Sequence, residues 1–388
     1  MPYSLYAVLI LLAVFIIFYR FERVRHERIL HSIPIRIWVN GTRGKSSVTR
    51  LIAAGLCAAG KKVIAKTTGT SARIIMHDRA EQPVVRLGMA NIREQMRILK
   101  SMAQAEPDAV VLECMALKPD LQWTEATQIV QPTVAVITNV RPDHLDVMGP
   151  TVTQVAEAFV NAIPHNSTLY CSRSSLLENS LSKLQNNNIT VTFSKADAVS
   201  DQELKGFSYI EHRENVALAL AVCAHFNIDK KTALKGMYTM QPDPGVLHKE
   251  QLSVHGKRVT FINAMAANDT ESIRQIWDTT EKTFRETNVL INCRDDRMDR
   301  SFRIAELIRE RISADHYMLT GSGTRACMRA LKKFIDRGNV YDFGNRTPHV
   351  AVARITEIVS DDSLIFAIGN TVGYGMELDR EFRKLRAT

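Results

Sequence analysis

A short glycine-containing turn between a predicted strand and a predicted helix constrains the fold of this chain most. The apolar run IRIWVN (35–40) leads directly into Gly41, Thr42, Arg43, Gly44, Lys45, Ser46 and Ser47, and a helical pattern covers 45–59. Backbone N–H groups at such a helix start, together with the helix dipole, bind phosphate oxygens. The segment therefore predicts an α/β sheet with a phosphate-binding loop.

The chemistry of the turn residues indicates two roles. The ammonium group of Lys45 is predicted to reach the β- and γ-phosphates of a nucleotide, and the hydroxyl of Ser46 to bind Mg²⁺. Val39 stands where the usual phosphate-loop pattern begins with glycine. A turn with an incidental lysine is the alternative interpretation, and the strand and helix on either side count against it.

The apolar runs that follow are spaced as in a doubly wound parallel sheet. Continuous apolar strands separated by amphipathic helices are buried on both faces, which is typical of parallel sheets. We therefore predict a central P-loop-type ATPase domain over 21–245. Its strands are predicted at 35–40, 62–66, 109–113, 133–138, 168–171 and 189–193, and its helices at 45–59, 91–105, 151–162, 213–226 and 230–239.

A second α/β pattern begins after PDPG (242–245), which predicts a hinge. We predict a C-terminal Rossmann-like domain over 246–388. Within it, GSGTRA (321–326) followed by Asp342 resembles a dinucleotide fingerprint, but the final alanine favours a Rossmann-like turn over NAD binding. Strands are predicted at 258–263, 287–292, 315–320 and 363–368, and helices at 270–285, 301–312, 324–336, 347–359 and 373–386.

An uncharged run, YSLYAVLILLAVFIIFY (3–19), predicts a transmembrane anchor over residues 1–20. As a helix it spans about 25 Å, the short end of what a bilayer needs. Four arginines follow it within 20–28 and no charge precedes it, so the remainder of the chain is predicted to be cytoplasmic. A cleaved signal peptide and a buried N-terminal helix are the alternatives, and the charges after the run count against the first.

The composition is that of a globular protein with a basic surplus. Of 388 residues, 45% are hydrophobic and 23% charged, which excludes disorder as the main state. The net charge of +9 favours an anionic partner. Six cysteines without a C-x-x-C pair fit a reducing compartment. No basic stripe is interleaved with aromatic residues, so nucleic acid is not a predicted partner.

Acidic and histidine side chains follow two of the predicted strands. Glu113 ends the apolar strand AVVLE (109–113), and TNVRPDHLDVMG (138–149) follows another. Ligands bind beyond the carboxyl ends of such strands, and carboxylates suit Mg²⁺. We predict that Glu113 joins Ser46 at a Mg²⁺ site, and that His144 lies at the same sheet edge together with Asn139, Asp143 and Asp146.

Together these segments resemble the Mur ligase superfamily of ATP-dependent amide ligases, which includes the muramyl-peptide ligases and folylpolyglutamate synthase. GTRGKSS (41–47) is similar to its GTxGK[ST][ST] loop, which also lacks the first glycine, and NVRPDHLD (139–146) is similar to its N-x-x-x-DH-x-D element. The resemblance implies that Glu113 binds Mg²⁺ and that His144 helps to hold a second Mg²⁺.

Two further sets of segments extend the resemblance over nearly the whole chain. HRENVALALAVC (212–223) is similar to the superfamily's H-x-x-N-x-x-x-A-x-A segment, which implies that Asn215 lies near adenine. Other segments resemble the narrower family of the poly-γ-glutamate synthase CapB, also called capsule biosynthesis protein CapB, whose members also begin with one membrane helix. These are KTTGTSAR (66–73), ECMALKPD (113–120), NVRPDHLDVMGPT (139–151), PDPG (242–245), AANDTES (266–272) and NCRDDRMDR (292–300).

The resemblance implies a catalytic subunit that works with small integral-membrane and surface-exposed partners to make and export a γ-linked glutamate polymer. The implied reaction uses ATP to convert a glutamate carboxylate to an acyl-phosphate, which the amine of another glutamate attacks. Lys45, Glu113 and His144 are the predicted catalytic residues. The forked guanidinium groups predicted to bind substrate carboxylates are those of Arg73, Arg294, Arg297 and Arg300.

One stretch departs from the superfamily. FINAMAANDT (261–270) has no lysine or histidine where the muramyl ligases carry a basic residue after the hinge. A basic group near the acyl-phosphate is therefore predicted to come from elsewhere, with Arg294 and Arg297 as the candidates. A domain hinged at 242–245 is predicted to swing these arginines over the phosphate loop.

Two other functions compete with the ligase interpretation. A membrane-anchored ATPase or kinase that regulates polymer export explains the loop and the anchor, but not the DH-x-D element or the second α/β domain. A non-catalytic nucleotide-binding scaffold would bind ATP and tolerate loss of His144. Release of ADP only in the presence of a free amino acid separates the ligase from both.

Overall fold

The computed structural model describes residues 2–68, 72–86, 90–143, 145–183, 188–207, 209, 211–241, 248–267, 270–280 and 284–387. The chain divides into two compact units, Met1–Pro242 and Asp243–Thr388. The predicted hinge at 242–245 and the predicted metal ligand His144 lie outside the described residues. The predicted domain boundaries stay predictions.

The first unit is built on an eight-stranded sheet with the strand order β4-β3-β2-β5-β1-β6-β7-β8. All neighbouring pairs are parallel except β2–β3 and β3–β4, which form an antiparallel edge. The strands are β1 (Ile35–Asn40), β2 (Val63–Thr67), β3 (Arg73–Ile75), β4 (Glu81–Pro83), β5 (Ala109–Glu113), β6 (Val134–Ile137), β7 (Thr168–Ser172) and β8 (Thr190–Ser194).

Helices cover both faces of this sheet. A π-helical turn, Glu125–Val130, continues directly from α4. The helices are α1 (Pro2–His31), α2 (Lys45–Ala58), α3 (Arg93–Ala103), α4 (Pro119–Thr124), α5 (Leu145–Met148), α6 (Val152–Asn161), α7 (Ser175–Ser182), α8 (Asp201–Leu204), α9 (Arg213–His225) and α10 (Lys230–Tyr238).

The central strands β1, β5 and β6 are buried on both faces. Ile37 lies between Val111 of β5 and Val134 of β6, and all three side chains are buried. Continuous apolar strands need a covering layer on each face, which the helices supply. The parallel pairing brings the carboxyl ends of β1, β2, β5 and β6 to one edge, where the loops of the candidate site begin.

The long helix α1 passes from an exposed apolar part into the body of the first unit. Its side chains are exposed from Leu5 to Arg25, whereas His26 and Leu30 are buried. The Nε2 atom of His26 lies 2.7 Å from the carbonyl oxygen of Ile129. Within the described residues one helix, over Leu5–His31, is long and apolar enough to cross a membrane, and an 18-residue window of it has a mean hydropathy of 2.1.

The end of α1 is also fixed by Arg36 of β1. Its guanidinium group donates to the carbonyl oxygens of Leu30 and Ile33, at 3.0 and 2.7 Å, and to those of Val130 and Gln131. These bonds tie the last turn of the helix to the first strand and to the π-helical turn. The apolar helix is therefore continuous with the folded body.

The second unit contains a six-stranded sheet with the order β13-β12-β11-β14-β10-β9, parallel except for β9–β10. Its strands are β9 (His248–Val254), β10 (Lys257–Asn263), β11 (Glu286–Cys293), β12 (His316–Gly321), β13 (Val340–Gly344) and β14 (Ser363–Gly369). Its helices are α11 (Thr270–Thr280), α12 (Met298–Arg311), α13 (Thr324–Leu331), α14 (Pro348–Ile358) and α15 (Tyr374–Arg383).

The predicted α/β architecture is confirmed in both units. Two apolar layers, one on each face of the second sheet, pack around Trp277 and around Phe261. The segment GSGTRA forms the turn from β12 to α13, and α13 ends at Leu331, five residues before the predicted end. The sequence did not predict β3, β4, β9 or β13.

Candidate nucleotide and metal site

The phosphate loop lies between β1 and α2, as predicted. Gly44 has φ +77°, a conformation that glycine adopts without strain, and a Cβ atom there would lie 2.6 Å from Oδ1 of Asn215. No side chain caps the N-terminus of α2, which begins at Lys45. The first N–H groups of the helix therefore face the loop without a side-chain acceptor, as an anion site requires.

The ammonium group of Lys45 lies over this loop. It donates to the carbonyl oxygens of Gly41 and Thr42, at 2.7 and 3.3 Å. Both acceptors belong to the loop itself, so the lysine charge is held where phosphate oxygens would lie. A phosphate group would replace two neutral acceptors with a charged one, which makes a stronger hydrogen bond.

Ser46 and Glu113 meet at the edge of the sheet, and their geometry fits a divalent cation. Oε2 of Glu113 accepts a 2.8 Å hydrogen bond from the Ser46 hydroxyl and a 2.7 Å bond from the Thr68 N–H. Oε1 of Glu113 accepts no hydrogen bond from any described residue, although the side chain is only 3% exposed. An open carboxylate oxygen beside a hydroxyl is the hard donor set that Mg²⁺ prefers.

The segment after β6 holds the phosphate loop in place. Asn139 accepts from the N–H groups of Thr42 and Arg43, through its carbonyl and side-chain oxygens, and its amide donates to the carbonyl of Arg43. Asp143 forms a 3.2 Å ion pair with Arg43. Asn139 and Asp143 thus lie at the predicted edge, where they support the loop, whereas Asp146 is exposed on α5.

Asn215, in the first turn of α9, lies against the phosphate loop. Its side-chain amide donates to Oε1 of Glu211 at 2.9 Å, and the N–H of His212 donates to the same oxygen at 2.8 Å. Glu211 is buried, and burial raises the pKa of its carboxyl group despite these two donors. The sequence analysis did not identify Glu211.

A second buried carboxylate lies behind Glu113 and was also missed. Glu125, fully buried at the start of the π-helical turn, accepts from the Trp38 indole, the Gln95 amide and the backbone N–H groups of Met115 and Ala116, at 3.0–3.3 Å. Burial raises its pKa. The Gln95 amide also donates to the carbonyl of Glu113 at 3.1 Å. This network fixes the backbone around the predicted metal ligand.

Lys66 of β2 completes the buried polar network. Its ammonium group lies 3.0 Å from Glu94, which Arg86 also contacts at 2.6 Å. Burial lowers the pKa of Lys66. Burial alone would raise the pKa of Glu94, but hydrogen bonds and charge from Arg86 and Lys66 hold it below its usual value.

The predicted carboxylate-binding arginines differ in their contacts. In the first unit, the buried Nε of Arg73 has no hydrogen-bond partner in the described structure. In the second unit, Arg294 forms a two-bond ion pair with Asp296, at 2.9 and 2.6 Å. Arg300 donates to the carbonyls of Met265 and Ala267. Arg297 is exposed and forms no ion pair with any described residue.

A hydroxyl that the sequence analysis missed lies at the same edge of the second sheet. Thr371 follows β14, is 6% exposed, and its Oγ1 has no hydrogen-bond partner in the described part of the chain. Asn292 of β11 pairs with Gly369 of β14, so the segments carrying Arg294 and Thr371 leave neighbouring strands at the same edge.

Comparison with known families and proteins identifies the fold family of both units. Residues 39–241 match the family described as Mur ligase middle domain, and residues 249–385 match the poly-gamma-glutamate synthase CapB C-terminal domain. The chain is 39% identical to capsule biosynthesis protein CapB of Bacillus anthracis, over 82% of this chain and 70% of that protein. It is 35% identical to PGA synthase CapB of Bacillus subtilis (strain 168), over 85% of each.

The chain belongs to the CapB family. The Mur ligase resemblance predicted from its motifs is therefore confirmed. A solved structure with the same fold is the bifunctional folylpolyglutamate synthase/dihydrofolate synthase of Yersinia pestis, complexed with AMPPNP and a Mn ion. It has a TM-score of 0.63 and 14% identity, and the alignment covers 92% of this CapB-family chain and 91% of that chain.

The candidate site of this CapB-family chain contains only part of the predicted residue set. The structure brings Lys45, Ser46 and Glu113 to one sheet edge, with Asn215 against the loop. Within the described residues, which exclude His144, no group of three or more His, Cys, Asp or Glu side chains is placed to hold a metal ion. The predicted second metal site therefore stays a prediction.

Proposed function

We propose that this CapB-family chain is an ATP-dependent amide ligase that polymerises glutamate through γ-linkages. The observation that carries the proposal is the 2.8 Å contact between Ser46 of the phosphate loop and Glu113 of β5, beside Lys45. The two relatives are named as a capsule biosynthesis protein and a PGA synthase, and these names are the reason for proposing poly-γ-glutamate as the product. ATP and Mg²⁺ are the proposed cosubstrate and cofactor.

The phosphate loop binds the triphosphate in this proposal. Gly41, Thr42, Arg43, Gly44, Lys45, Ser46 and Ser47 surround it. The N–H groups at the start of α2 donate to phosphate oxygens, and Lys45 exchanges its two carbonyl acceptors for the β- and γ-phosphates. Ser46 and Glu113 hold Mg²⁺, which neutralises phosphate charge when bound. His144 is proposed as a ligand of a second ion.

The proposed reaction has two steps. An oxygen of a glutamate γ-carboxylate forms a bond to the γ-phosphorus as the bond to the ADP oxygen breaks, which gives an acyl-phosphate and ADP. The amine of a second glutamate then attacks the acyl carbon and loses a proton, and the C–O bond to phosphate breaks. Positioning and charge stabilisation by Lys45 and the metal ligands supply the catalysis.

Recognition of the glutamate carboxylates is assigned to the arginines. Arg297 is the first choice, because it is exposed and forms no ion pair with a described residue. Arg294 binds a carboxylate after releasing Asp296. Arg73 remains a proposed ligand through its unpartnered Nε, and Arg300 through the guanidinium group that contacts the loop after β10. Thr371 adds a hydroxyl donor at the same sheet edge as Arg294.

The apolar helix α1 supports a location at the cell membrane. We propose that it crosses the cytoplasmic membrane once, with the catalytic body in the cytoplasm, because the arginines follow the apolar run. The proposed partners are small integral-membrane and surface-exposed capsule-synthesis subunits, together with glutamate and the growing chain. The surplus of positive charge suits a polyanionic product.

The proposal is tested with purified full-length protein, ATP, Mg²⁺ and each amino acid in turn. We expect ADP release to depend on glutamate and the product mass to increase in steps of one glutamate residue. Release of ADP without any amino acid requirement would instead support a membrane-anchored ATPase or kinase. Lys45→Ala is the inactive control, and the exposed Lys100→Ala is the matched active control.

A further inference from the structure

The helix α13 of the second unit carries basic side chains along one side and no acidic side chain. Residues 324–335 read TRACMRALKKFI, which contains neither aspartate nor glutamate. Cys327 and Leu331 are buried in the apolar layer around Trp277. The exposed cations follow one another at intervals of one to four residues, which places them on the side of the helix that faces away from this layer. We call these four residues the basic stripe: Arg325, Arg329, Lys332 and Lys333.

The charge of the basic stripe is not neutralised by the rest of the described structure. Within the described residues, no carboxylate forms an ion pair with any of its four cations. Other helices of the same unit pair exposed cations with carboxylates of their own, as Arg274 does with Glu271 on α11 and Arg354 with Glu357 on α14. The stripe therefore offers its charge to an anionic partner.

One end of the basic stripe lies beside the segment to which we assign carboxylate recognition. The Ser322 hydroxyl oxygen accepts a 3.3 Å hydrogen bond from the Asp295 N–H, and a Cβ atom at Gly323 would lie 2.7 Å from the carbonyl carbon of Arg294. Arg325 follows this contact by two residues. From there the stripe runs along α13 away from the sheet edge, for about 12 Å at 1.5 Å per residue.

We propose that the basic stripe binds the γ-linked glutamate chain next to its reacting end. This inference rests on the proposed function. A γ-linked repeat contains five backbone bonds and one free carboxylate, so its carboxylates recur about every 5–6 Å, scaled from the three bonds of an ordinary peptide residue. Rotation about the two methylene groups of each repeat turns successive carboxylates to one side. Arg325, Arg329 and Lys333 recur about every 6 Å along the helix, so each repeat meets one cation.

Oligomers of equal charge and different linkage test the match in spacing. The full chain in phosphatidylcholine nanodiscs, without ATP, is titrated against fluorescent ten-residue oligomers of γ-linked or α-linked glutamate, and anisotropy gives the dissociation constants. The α-linked carboxylates recur about every 3.5 Å, which does not match the cations. We expect the γ-linked oligomer to bind at least about threefold more tightly. Equal affinities would overturn the proposal.

Charge reversal locates the binding surface. We expect Arg325→Glu with Arg329→Glu to weaken binding of the γ-linked oligomer by about tenfold or more, because two attractions become repulsions. Arg354→Glu with Arg380→Glu is the matched control. These exposed arginines lie on α14 and α15, which cover the opposite face of the second sheet, and their reversal changes the net charge equally. The control should weaken binding less than about threefold. Equal weakening by the two double variants would indicate a general effect of net charge and overturn the proposal.

An anionic lipid surface is the competing partner, because α1 supports a location at the membrane. Sedimentation of the nanodiscs with phosphatidylglycerol vesicles measures this binding. If Arg325→Glu with Arg329→Glu abolishes sedimentation and leaves the affinity for the γ-linked oligomer unchanged, the basic stripe is a lipid-binding surface and the proposal is wrong.

Turnover separates this inference from the proposed function. The double variant Arg325→Glu with Arg329→Glu should retain glutamate-dependent ADP release but make shorter chains, because a chain held at the stripe stays close to the site for the next addition. Chains of unmodified length would overturn the proposal. If the unmodified protein binds the γ-linked oligomer but releases no ADP with glutamate, the proposed function fails while the binding surface is retained.

Discussion

Within the part of the chain that the structure describes, the ammonium group of Lys45 donates to carbonyls of its own loop and pairs with no carboxylate. We expect Lys45→Ala to abolish glutamate-dependent ADP production while the fold persists. Removing a charge that acts on the reacting phosphates costs about 3–4 kcal/mol, or a factor of a few hundred in rate. Steady-state kinetics and thermal melting of the same sample measure both effects.

The control for this prediction is Lys100→Ala, which removes an exposed lysine of α3 in the same unit. It should retain turnover, because exposed positions away from special contacts contribute little. Undiminished ADP production in folded Lys45→Ala would remove the phosphate loop from the reaction.

Arg297 offers a second prediction for a single residue. Its guanidinium fork can contact both oxygens of a carboxylate, which an ammonium group cannot do. We expect Arg297→Lys to raise the KM for glutamate about tenfold and to leave the KM for ATP nearly unchanged. Arg309→Lys, an exposed change on helix α12, which begins directly after Arg297, should alter neither.

The competing interpretation of Arg297 is a structural pairing with the aspartates around it. In that case Arg297→Lys would lower the melting temperature and leave both KM values unchanged. Arg294 illustrates this outcome, because it pairs with Asp296 two residues away. The sequence placed arginines and aspartates together but could not determine which of them pair.

The predictable part of the candidate site consists of contacts within the phosphate loop and contacts between the ends of neighbouring parallel strands. The loop around Lys45 is contiguous, and the distance from Ser46 to Glu113 follows from parallel pairing of β1 and β5. The network around Glu125 was not predictable, because Gln95 and Trp38 reach it across 30 and 87 residues. No regular spacing in the sequence relates these positions, and the sequence does not show that Glu125 is buried.

At the scale of elements, the join between α4 and the π-helical turn depends on Glu125. Its carboxyl group accepts from the N–H groups of Met115 and Ala116, which follow β5. We expect Glu125→Leu to lower the free energy of unfolding by about 3 kcal/mol, because several buried donors lose their acceptor. Chemical denaturation of the full chain measures the loss.

Glu125→Gln serves as the conservative comparison and should be less destabilising than Glu125→Leu, since its amide oxygen still accepts. Glu157→Leu removes a partly exposed glutamate that pairs with the exposed Lys183, and it should change stability by about 0.5 kcal/mol or less. Equal losses for Glu125→Leu and Glu157→Leu would contradict the role assigned to the network.

Short elements escaped the sequence analysis for a physical reason. The strands β3 and β4 have three residues each, too few to display an alternating pattern, and they are held by antiparallel pairing of β3 to β2 and of β4 to β3. β9 begins next to segment 242–247, which lies outside the described residues, and its hydrogen bonds go to β10 and to the C-terminal segment around Arg386. The long buried strands were predicted because their apolar runs are continuous.

At the scale of the whole molecule, the two α/β units were predictable because strands and helices alternate throughout the chain. The strand order was not, since β14 lies between β10 and β11 although it comes last. Apolar patterns predict which segments are strands. The order of those strands in a parallel sheet is determined by how the connecting helices pack, which the patterns do not show.

The proposed membrane anchor gives a prediction for the intact protein. A fluorescent reporter fused to the C-terminus should fold in the cytoplasm and sediment with membranes, because the arginines after the apolar run of α1 retain the body on that side. A reporter such as alkaline phosphatase, which is active only outside the cytoplasm, should be inactive at the same position. The reverse pattern of the two reporters would contradict the predicted orientation.

The clamped end of α1 has a mechanical consequence. The hydrogen bonds of His26 and Arg36 and the burial of Leu30 hold the last turns of the apolar helix against the first unit. A spanning helix changes its tilt when the bilayer thickens or thins. If α1 crosses the membrane as proposed, such a tilt would turn the first unit together with the helix, so the acyl chain length of the surrounding lipids would change the angle at which this unit meets the membrane surface.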